Sequence, residues 1–393
     1  MAAGVYSTKP LGEVLRFKNG KSIKPGTEGE FPAYGSNGVI GGSPEYREED
    51  AIILGRVGAY CGSVAYCPGK FWASDNTIVV YAKDESFDIR FLSYLLHDLN
   101  LNRWAGGAAQ PLLTQTVLKQ IEAPVPPASE QQKIAAILSA YDDLIENNLR
   151  RIKILEEMAQ NLYREWFVKF RFLGHEQVRM VDSPLGKIPE GWEATTLDAI
   201  TSYINRGVAP KYDDSSKSLV INQKCIRDGK LNMALARTHK SRVMDKKYVE
   251  LGDVLINSTG VGTLGRVTQV YEKLDDVTVD THVSIVRPSS ADDIDYLGVA
   301  LIELESYFES LGAGATGQTE LRRDRIGETE LVLPPVALRR KFSEKVSPNR
   351  QLALNLSVRN NVLRQTRDLL LPKLISGELD VSELDIATDK EAA

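Results

Sequence analysis

Residues 126–166 read PPASEQQKIAAILSAYDDLIENNLRRIKILEEMAQNLYREW, and their spacing decides how the chain is built. After Pro127 no glycine occurs until Gly174. Apolar or near-apolar residues fall at Ile134, Leu138, Tyr141, Ile145, Asn148, Ile152, Leu155, Ala159, Leu162 and Trp166, in alternating steps of four and three. That alternation is the seam of a coiled-coil helix, because a 3.5-residue period keeps one stripe facing a partner. At 1.5 Å per residue, about 40 residues make a rod of roughly 60 Å. Ser129 with Gln132 supplies a capping-box start. A single seam needs a partner, and the chain carries one at a constant offset of 208, from Ile134 to Phe342 onward. The matching positions are Phe342, Val346, Asn349, Ala353, Leu356, Asn360, Leu363, Arg367, Leu370 and Leu374. Pro348 lacks an N–H, so it is expected to interrupt or start a helix there, with Ser347 as its N-cap. Since the chain must return, the two helices are expected to pair antiparallel.

The duplication extends outward from the helices. Leu11-Gly12-Glu13-Val14 matches Leu197-Asp198-Ala199-Ile200 at an offset of 186. Asp50-Ala51-Ile52-Ile53 matches Asp253-Val254-Leu255-Ile256 at 203, and Ser74-Asp75 matches Val279-Asp280 at 205. From Gln110 and Gln318 the offset stays at 208, through Pro126-Pro127 against Pro334-Pro335. A stepped offset means loop insertions in a variable module. A constant one means a segment whose length matters.

Each module is strand-rich. Residues 51–54, a glycine turn and residues 63–66 read as a hairpin, repeated by 254–256 and 266–270. Residues 78–81 and 283–286 are the next strands, and 88–99 and 294–311 read as helices. The expected organisation is a module over 1–127, a long helix over 128–170, a Pro- and Gly-rich linker over 171–193, a second module over 194–335, a second helix region over 336–377 and a tail over 378–393. The fold class is α+β, with two strand-rich modules separated by two long helices in an antiparallel coiled coil, related by a pseudo-two-fold repeat.

Composition is that of an ordinary globular protein, 42% hydrophobic and 26% charged over 393 residues. No apolar run approaches a membrane span, and the opening MAAGVYSTKP has no signal-peptide stretch, so a cytoplasmic location is expected. Cys61, Cys67 and Cys225 make no disulfide framework and read as small core residues. Chemistry is sparse. Gly260-Val261-Gly262-Thr263-Leu264-Gly265 fits GxGxxG, but the strand-forming run 266–271 follows where a dinucleotide site needs a helix. His97, His175, His239 and His282 are scattered, and no Walker A, HExxH, methyltransferase Pro-Pro or nucleophile-elbow motif occurs. No catalytic residue, metal site or cofactor site is expected in this chain. The formal net charge of -5 is uneven, with Arg16, Lys18, Lys21 and Lys24 clustered without an acid between them. Local basic patches on an acidic chain suit a protein that meets nucleic acid with part of its surface.

The combination resembles the specificity subunit of Type I restriction-modification systems, over essentially the whole chain. Four features carry the resemblance: Asp182-Ser183-Pro184-Leu185-Gly186-Lys187-Ile188-Pro189-Glu190-Gly191-Trp192 before the second copy; the apolar strands into glycine turns after Asp50 and Asp253; Gln110-Pro111-Leu112-Leu113 and Gln318-Thr319-Glu320-Leu321 running into the proline pairs; and Ser129-Glu130-Gln131-Gln132-Lys133-Ile134 opening the first helix. The second copy departs at its helix start, where Val336-Ala337-Leu338-Arg339-Arg340-Lys341 lacks Glu-Gln-Gln. The resemblance implies that each module is a target-recognition domain reading half of a split site in duplex DNA. It implies that the helices dock two methylation subunits, which carry S-adenosylmethionine and methylate adenine N6. Restriction subunits using ATP and Mg would complete the system.

Base reading needs side chains on major-groove edges, and phosphate contacts position the module. The expected DNA-binding residues of the first module are Arg16, Lys18, Lys21, Lys24, Tyr34, Asn37, Arg56, Arg103 and Gln110. Those of the second are Arg206, Lys211, Lys224, Arg227, Lys240, Arg242, Thr259 and Arg322. Arg56 and Thr259 are taken as matched positions, and their different chemistry predicts an asymmetric site. Two alternatives stay open: a recognition subunit of a methyltransferase-only system, and a coiled-coil protein-interaction scaffold with no DNA role.

Overall fold

The computed structural model describes residues 6–107, 111–312 and 320–387. They build an α+β fold in two units, Met1–Asn148 with Val358–Ala393, and Leu149–Ser357. Each long helix is therefore shared, half to each unit.

The first unit runs β1 (Ser7–Pro10), α1 (Leu11–Val14), β2 (Leu15–Asn19), β3 (Phe31–Gly35), β4 (Gly38–Ser43), β5 (Glu48–Gly55), β6 (Val64–Ala73), β7 (Thr77–Ala82), α2 (Ile89–Asp98), α3 (Gln115–Gln120), β8 (Glu122–Val125) and the start of α4 (Ala128–Tyr163). Six strands form one sheet in the order β2-β7-β5-β6-β3-β4. Strand β5 is an apolar run because both its faces are covered. Ile52 and Leu54 enter one core, while Ala51 and Ile53 enter a second with Phe71 and Val79. Helix α2 is capped by the Asp88 carboxylate, which accepts the Phe91 amide, and it buries Phe91, Leu92, Leu95 and Leu96. Helix α4 starts one residue before Ser129. The Pro127 carbonyl accepts the Glu130 and Gln131 amides, so Ser129 lies in the first turn and is not the cap. Ile134 and Leu138 are fully buried and share the first core with Leu371, Leu374 and Ile375. Asn148 donates to Asn360 at 2.8 Å and Asp142 pairs with Arg367, so rising numbers on one helix meet falling numbers on the other: within this unit the pairing is antiparallel.

The second unit continues with β9 (Met180–Ser183), β10 (Gly186–Pro189), β11 (Glu193–Thr196), α5 (Leu197–Ile200), β12 (Thr201–Arg206), β13 (Leu219–Ile221), β14 (Ile226–Arg227), β15 (Lys230–Leu231), β16 (Arg237–Thr238), β17 (Val254–Asn257), β18 (Val267–Gln269), β19 (Val277–Val279), β20 (Val283–Pro288), α6 (Ile294–Glu303), α7 (Glu305–Ser310), α8 (Arg323–Gly327), β21 (Glu330–Leu333) and α9 (Val336–Ser376). Its larger sheets are β12-β20-β17-β18 and β16-β13-β19, and β9 with β10, β11 with β21 and β14 with β15 pair separately. Three expectations are corrected here. Helix α9 runs unbroken through Pro348: the proline removes one internal bond, but Phe342 and Val346 anchor the preceding turns in the core beside Trp166 and Phe167. The expected linker 171–193 is folded, with β9 and β10 forming a hairpin and Phe167, Phe170 and Phe172 ringing Trp192 at centroid distances of 5.9, 5.4 and 5.3 Å. Aromatic burial outweighs the Pro and Gly content that suggested a linker. The helix expected over 294–311 breaks at Leu304 into α6 and α7.

The repeat can be checked bond by bond. Strand β1 pairs with β8 from Ser7↔Val125 to Pro10↔Glu122, and β11 with β21 from Glu193↔Leu333 to Thr196↔Glu330, at offsets of 186 and 208. The central strands need a correction of one residue. Ile52 and Leu54 enter one core as Val254 and Ile256 enter the other, and the Leu113 amide donates to the Arg56 carbonyl as that of Leu321 does to Ser258, so β5 and β17 match at 202 rather than 203, and β7 and β20 at 206 rather than 205. Asp50 then coincides with Gly252, and both have positive φ (45° and 93°) at the same bend. Asp is among the few residues that tolerate this conformation. Asp253 instead is buried and paired with Arg287.

Candidate nucleic-acid interface

The corrected register brings into correspondence one end of the sheet in each module, the edge that runs across the ends of β2, β7 and β5 in the first and of β12, β20 and β17 in the second. In the first module the Gly20 amide donates to the Thr77 carbonyl and Lys21 to Ala73, while Arg56 donates to Asn76. In the second, Gly207 donates to Val283, Val208 to Val279 and Ser258 to His282. Leu113 closes the first edge onto the Arg56 carbonyl at 2.9 Å, and Leu321 closes the second onto the Ser258 carbonyl at 2.8 Å. Gly20 and Gly207 are required at this edge. A Cβ there would lie 1.9 Å from the Ser74 carbonyl oxygen and 1.7 Å from that of Val279. Gly62 and Gly265, both with positive φ, sit equally tightly: a Cβ on either would lie 2.4 Å from a backbone nitrogen, of Asn102 or Glu309. The backbone of the edge is thus the same twice, and the side chains are not. Asn19 stands where Arg206 does, Lys21 where Val208, Arg56 where Ser258 and Asn76 where His282.

Local bonds orient these groups. Gln115 donates to the side-chain amide oxygen of Asn19 at 2.9 Å, and Ser36, in the β3–β4 turn, donates to the Asn76 backbone carbonyl at 2.7 Å. In the second module Arg206 pairs with Glu320 at 2.8 Å and donates to the Leu321 carbonyl. The His282 ring bonds the Thr259 hydroxyl, and its amide donates to the Asp280 carboxylate. Burial raises the Asp280 carboxyl above its ordinary range, and that amide bond works against the rise.

The expected DNA-binding residues divide accordingly. Lys21, Asn37 and Arg56 lie at the edge in the first module, with Asn37 exposed at the β3–β4 tip. Lys24 is exposed on the neighbouring loop, and Arg103 is exposed over the Trp104 ring. Lys18 is instead tied to the buried Glu48 at 2.7 Å, and Arg16 lies over Tyr81. Tyr34 is half-buried and packs edge-on to Phe71 against the second core, and burial followed by the neighbouring Cys67 pushes its hydroxyl up to about 12. Gln110 lies outside the described residues. In the second module Arg206 and Thr259 lie at the edge. Arg322 pairs with Asp324, Arg227 with Asp228 and Lys240 with Asp213, while Lys211, Lys224 and Arg242 are exposed. Hydrogen bonds from Ser215 and then Lys240 hold the Asp213 carboxyl below its ordinary range. The matching of Arg56 with Thr259 is corrected: Arg56 coincides with Ser258, and Thr259 with Val57, since the bridges Val57↔Leu112 and Thr259↔Glu320 are equivalent. Asn19, Asn76, Gln115 and His282 were missed, because nothing in their own sequence marks them; only strand register brings them to the edge.

Cys61, Cys67 and Cys225 are buried free thiols. Among the described residues no group of three or more His, Cys, Asp or Glu side chains is placed to hold a metal ion, and no helix is long and apolar enough to cross a membrane. The family model described as the Type I restriction modification DNA specificity domain matches residues 5–157. The chain is similar to the Type I restriction enzyme MjaIX specificity subunit of Methanocaldococcus jannaschii, with 29% identity over 309 residues, 76% of this chain and 68% of that protein. It is 30% identical over 161 residues to the Type I restriction enzyme EcoprrI specificity subunit of Escherichia coli, 39% of this chain and 40% of the relative. Its fold is similar to the crystal structure of the Type-I restriction-modification system S subunit from M. genitalium, with a TM-score of 0.62, 18% identity and 98% of each chain covered.

Proposed function

We propose that the chain is a specificity subunit of a Type I restriction-modification system and that its two edges are its reading heads. Each module reads one half of a bipartite site in duplex DNA. The observation that carries this is the repeated edge backbone holding unlike side chains: Asn19, Lys21, Arg56 and Asn76 in one module, Arg206, Val208 and His282 in the other, where the buried Ser258 takes the place of Arg56. Arg presents paired donors and Asn a donor beside an acceptor, the patterns that distinguish bases in the major groove, and unlike sets read unlike half-sites. The site is therefore asymmetric.

The long helices dock two methylation subunits and set the gap between the half-sites. Exposed apolar side chains on their surfaces support docking: Leu144, Val362 and Leu369 in the first unit, Ile154, Met158 and Leu352 in the second. The chain is non-catalytic by itself. S-adenosylmethionine belongs to the methylation subunits, ATP and Mg to the restriction subunits, and the complex works in the cytoplasm. An acidic chain with local basic patches binds DNA weakly alone and tightly once its partners complete a positive channel. An electrophoretic shift on random duplex, with and without a methylation subunit, tests this. A salt-sensitive shift strengthened by the partner is expected. No shift under either condition favours the protein-scaffold reading.

A further inference from the structure

Helices α2 and α6 are equivalent, and each lies against the first turns of the long helix that follows it. In the first unit the contact is neutral or anionic on the long-helix side. The Gln131 side chain accepts the Asp88 amide and donates to the Pro126 carbonyl, both at 2.9 Å. Three turns later Asp142 accepts the Tyr94 hydroxyl of α2 and pairs with Arg367. In the second unit the same two long-helix positions are cationic. Arg339 stands for Gln131 and pairs with Asp293, and Arg350 stands for Asp142 and pairs with Asp295. Arg339, Asp293 and Asp295 are buried, and Arg350 also lies over the Tyr271 ring. On the module side Arg90 of α2 stands where Asp295 of α6 does.

We propose that this reversal of polarity is an address, tying each recognition module to its own long helix and rejecting the helix of the other repeat. Seated on α4, the second module would bring Asp295 against Asp142. Seated on α9, the first would bring Arg90 against Arg350. Buried Asp295 would lose the guanidinium of Arg350 and meet a second carboxylate instead, so the wrong pairing is penalised more than the right one is rewarded. The inference rests on the modules being separate reading units, and it adds that a module can be exchanged between the halves only together with the long-helix positions that face it.

The test uses the full chain and thermal unfolding, which needs no DNA and so fails independently of the functional reading. Arg350→Met removes the cation, whereas Arg350→Asp recreates the anion of the first repeat. The address predicts that Arg350→Asp melts at least about 5 °C below Arg350→Met, because Asp295 repels it. Asp295→Arg combined with Arg350→Asp should recover more than half of the loss seen in the worse single variant. If Arg350→Asp yields no folded protein while the double variant folds, that is the same rescue. Equal melting of Arg350→Met and Arg350→Asp, or a double variant no better than the worse single, overturns the proposal.

Discussion

Asn148 and Asn360 form the one layer of the first unit's seam where two amides meet out of water. The Asn148 amide donates to the Asn360 oxygen at 2.8 Å and Asn360 donates to the Ile145 carbonyl at 3.3 Å, with 5% and 1% exposure. Their counterparts in the second repeat, Leu356 and Ile152, are apolar and equally buried. The perturbation is to convert the first layer into the second, by Asn148→Leu, Asn360→Ile and the two together. Either single change leaves the other amide buried without its partner, a cost of about 1–3 kcal/mol, which offsets the roughly 1.5–3 kcal/mol expected from the added apolar side chain. Each single variant is thus near neutral. The double variant leaves no orphan amide and buries two apolar side chains, so it gains more than the sum of the singles, with a coupling of about 1–2 kcal/mol. Urea unfolding of all four proteins measures it. Additivity to within about 0.5 kcal/mol would refute the reasoning, because the amides would then not act as a pair. A stabilised double variant should also lose register fidelity, since a polar layer specifies pairing at a cost in stability.

Gly62→Ala and Gly265→Ala should each disable one module alone: the positive φ costs roughly 1–2 kcal/mol before the clash with the Asn102 or Glu309 backbone, and a binding selection should lose the letters of one half-site and keep the other. Lys21→Ala should lower the salt slope of DNA binding by about one with little effect on stability, whereas Lys18→Ala should destabilise the first module by about 1–2 kcal/mol, because the buried Glu48 loses its cation and keeps only the Tyr81 hydroxyl. Adding one heptad to either long helix should change the preferred gap and leave both half-sites unaltered; an unchanged gap with altered letters would sink the assignment of spacing to the helices.

Much of this architecture was legible in the residues, and the reason is periodicity. Ile134, Leu138, Ile145 and Ile152 are buried as their spacing requires, and so are Phe342, Val346 and Leu356. Leu155, Leu162, Leu363, Leu370 and Tyr141 are half-buried at the margins of the same stripe. Segment 171–193 was misread because Pro and Gly content speaks of backbone freedom and is silent about aromatic partners such as Phe167 and Trp192. The edge residues were the hardest to see. A strand slip of one residue exchanges which side chains coincide, and Asp50 resembled Asp253 closely enough to hide the bend that Asp50 shares with Gly252. Counting lysines found Lys18, which serves the core, and overlooked Asn76 and His282, which carry no charge signature.

The measurement that bears most directly on the central claim is the map of N6-methyladenine left on DNA by the complex containing this chain. The account predicts one bipartite motif, its two halves different in sequence and separated by a fixed unread gap. A continuous motif, or two identical inverted halves, would contradict it.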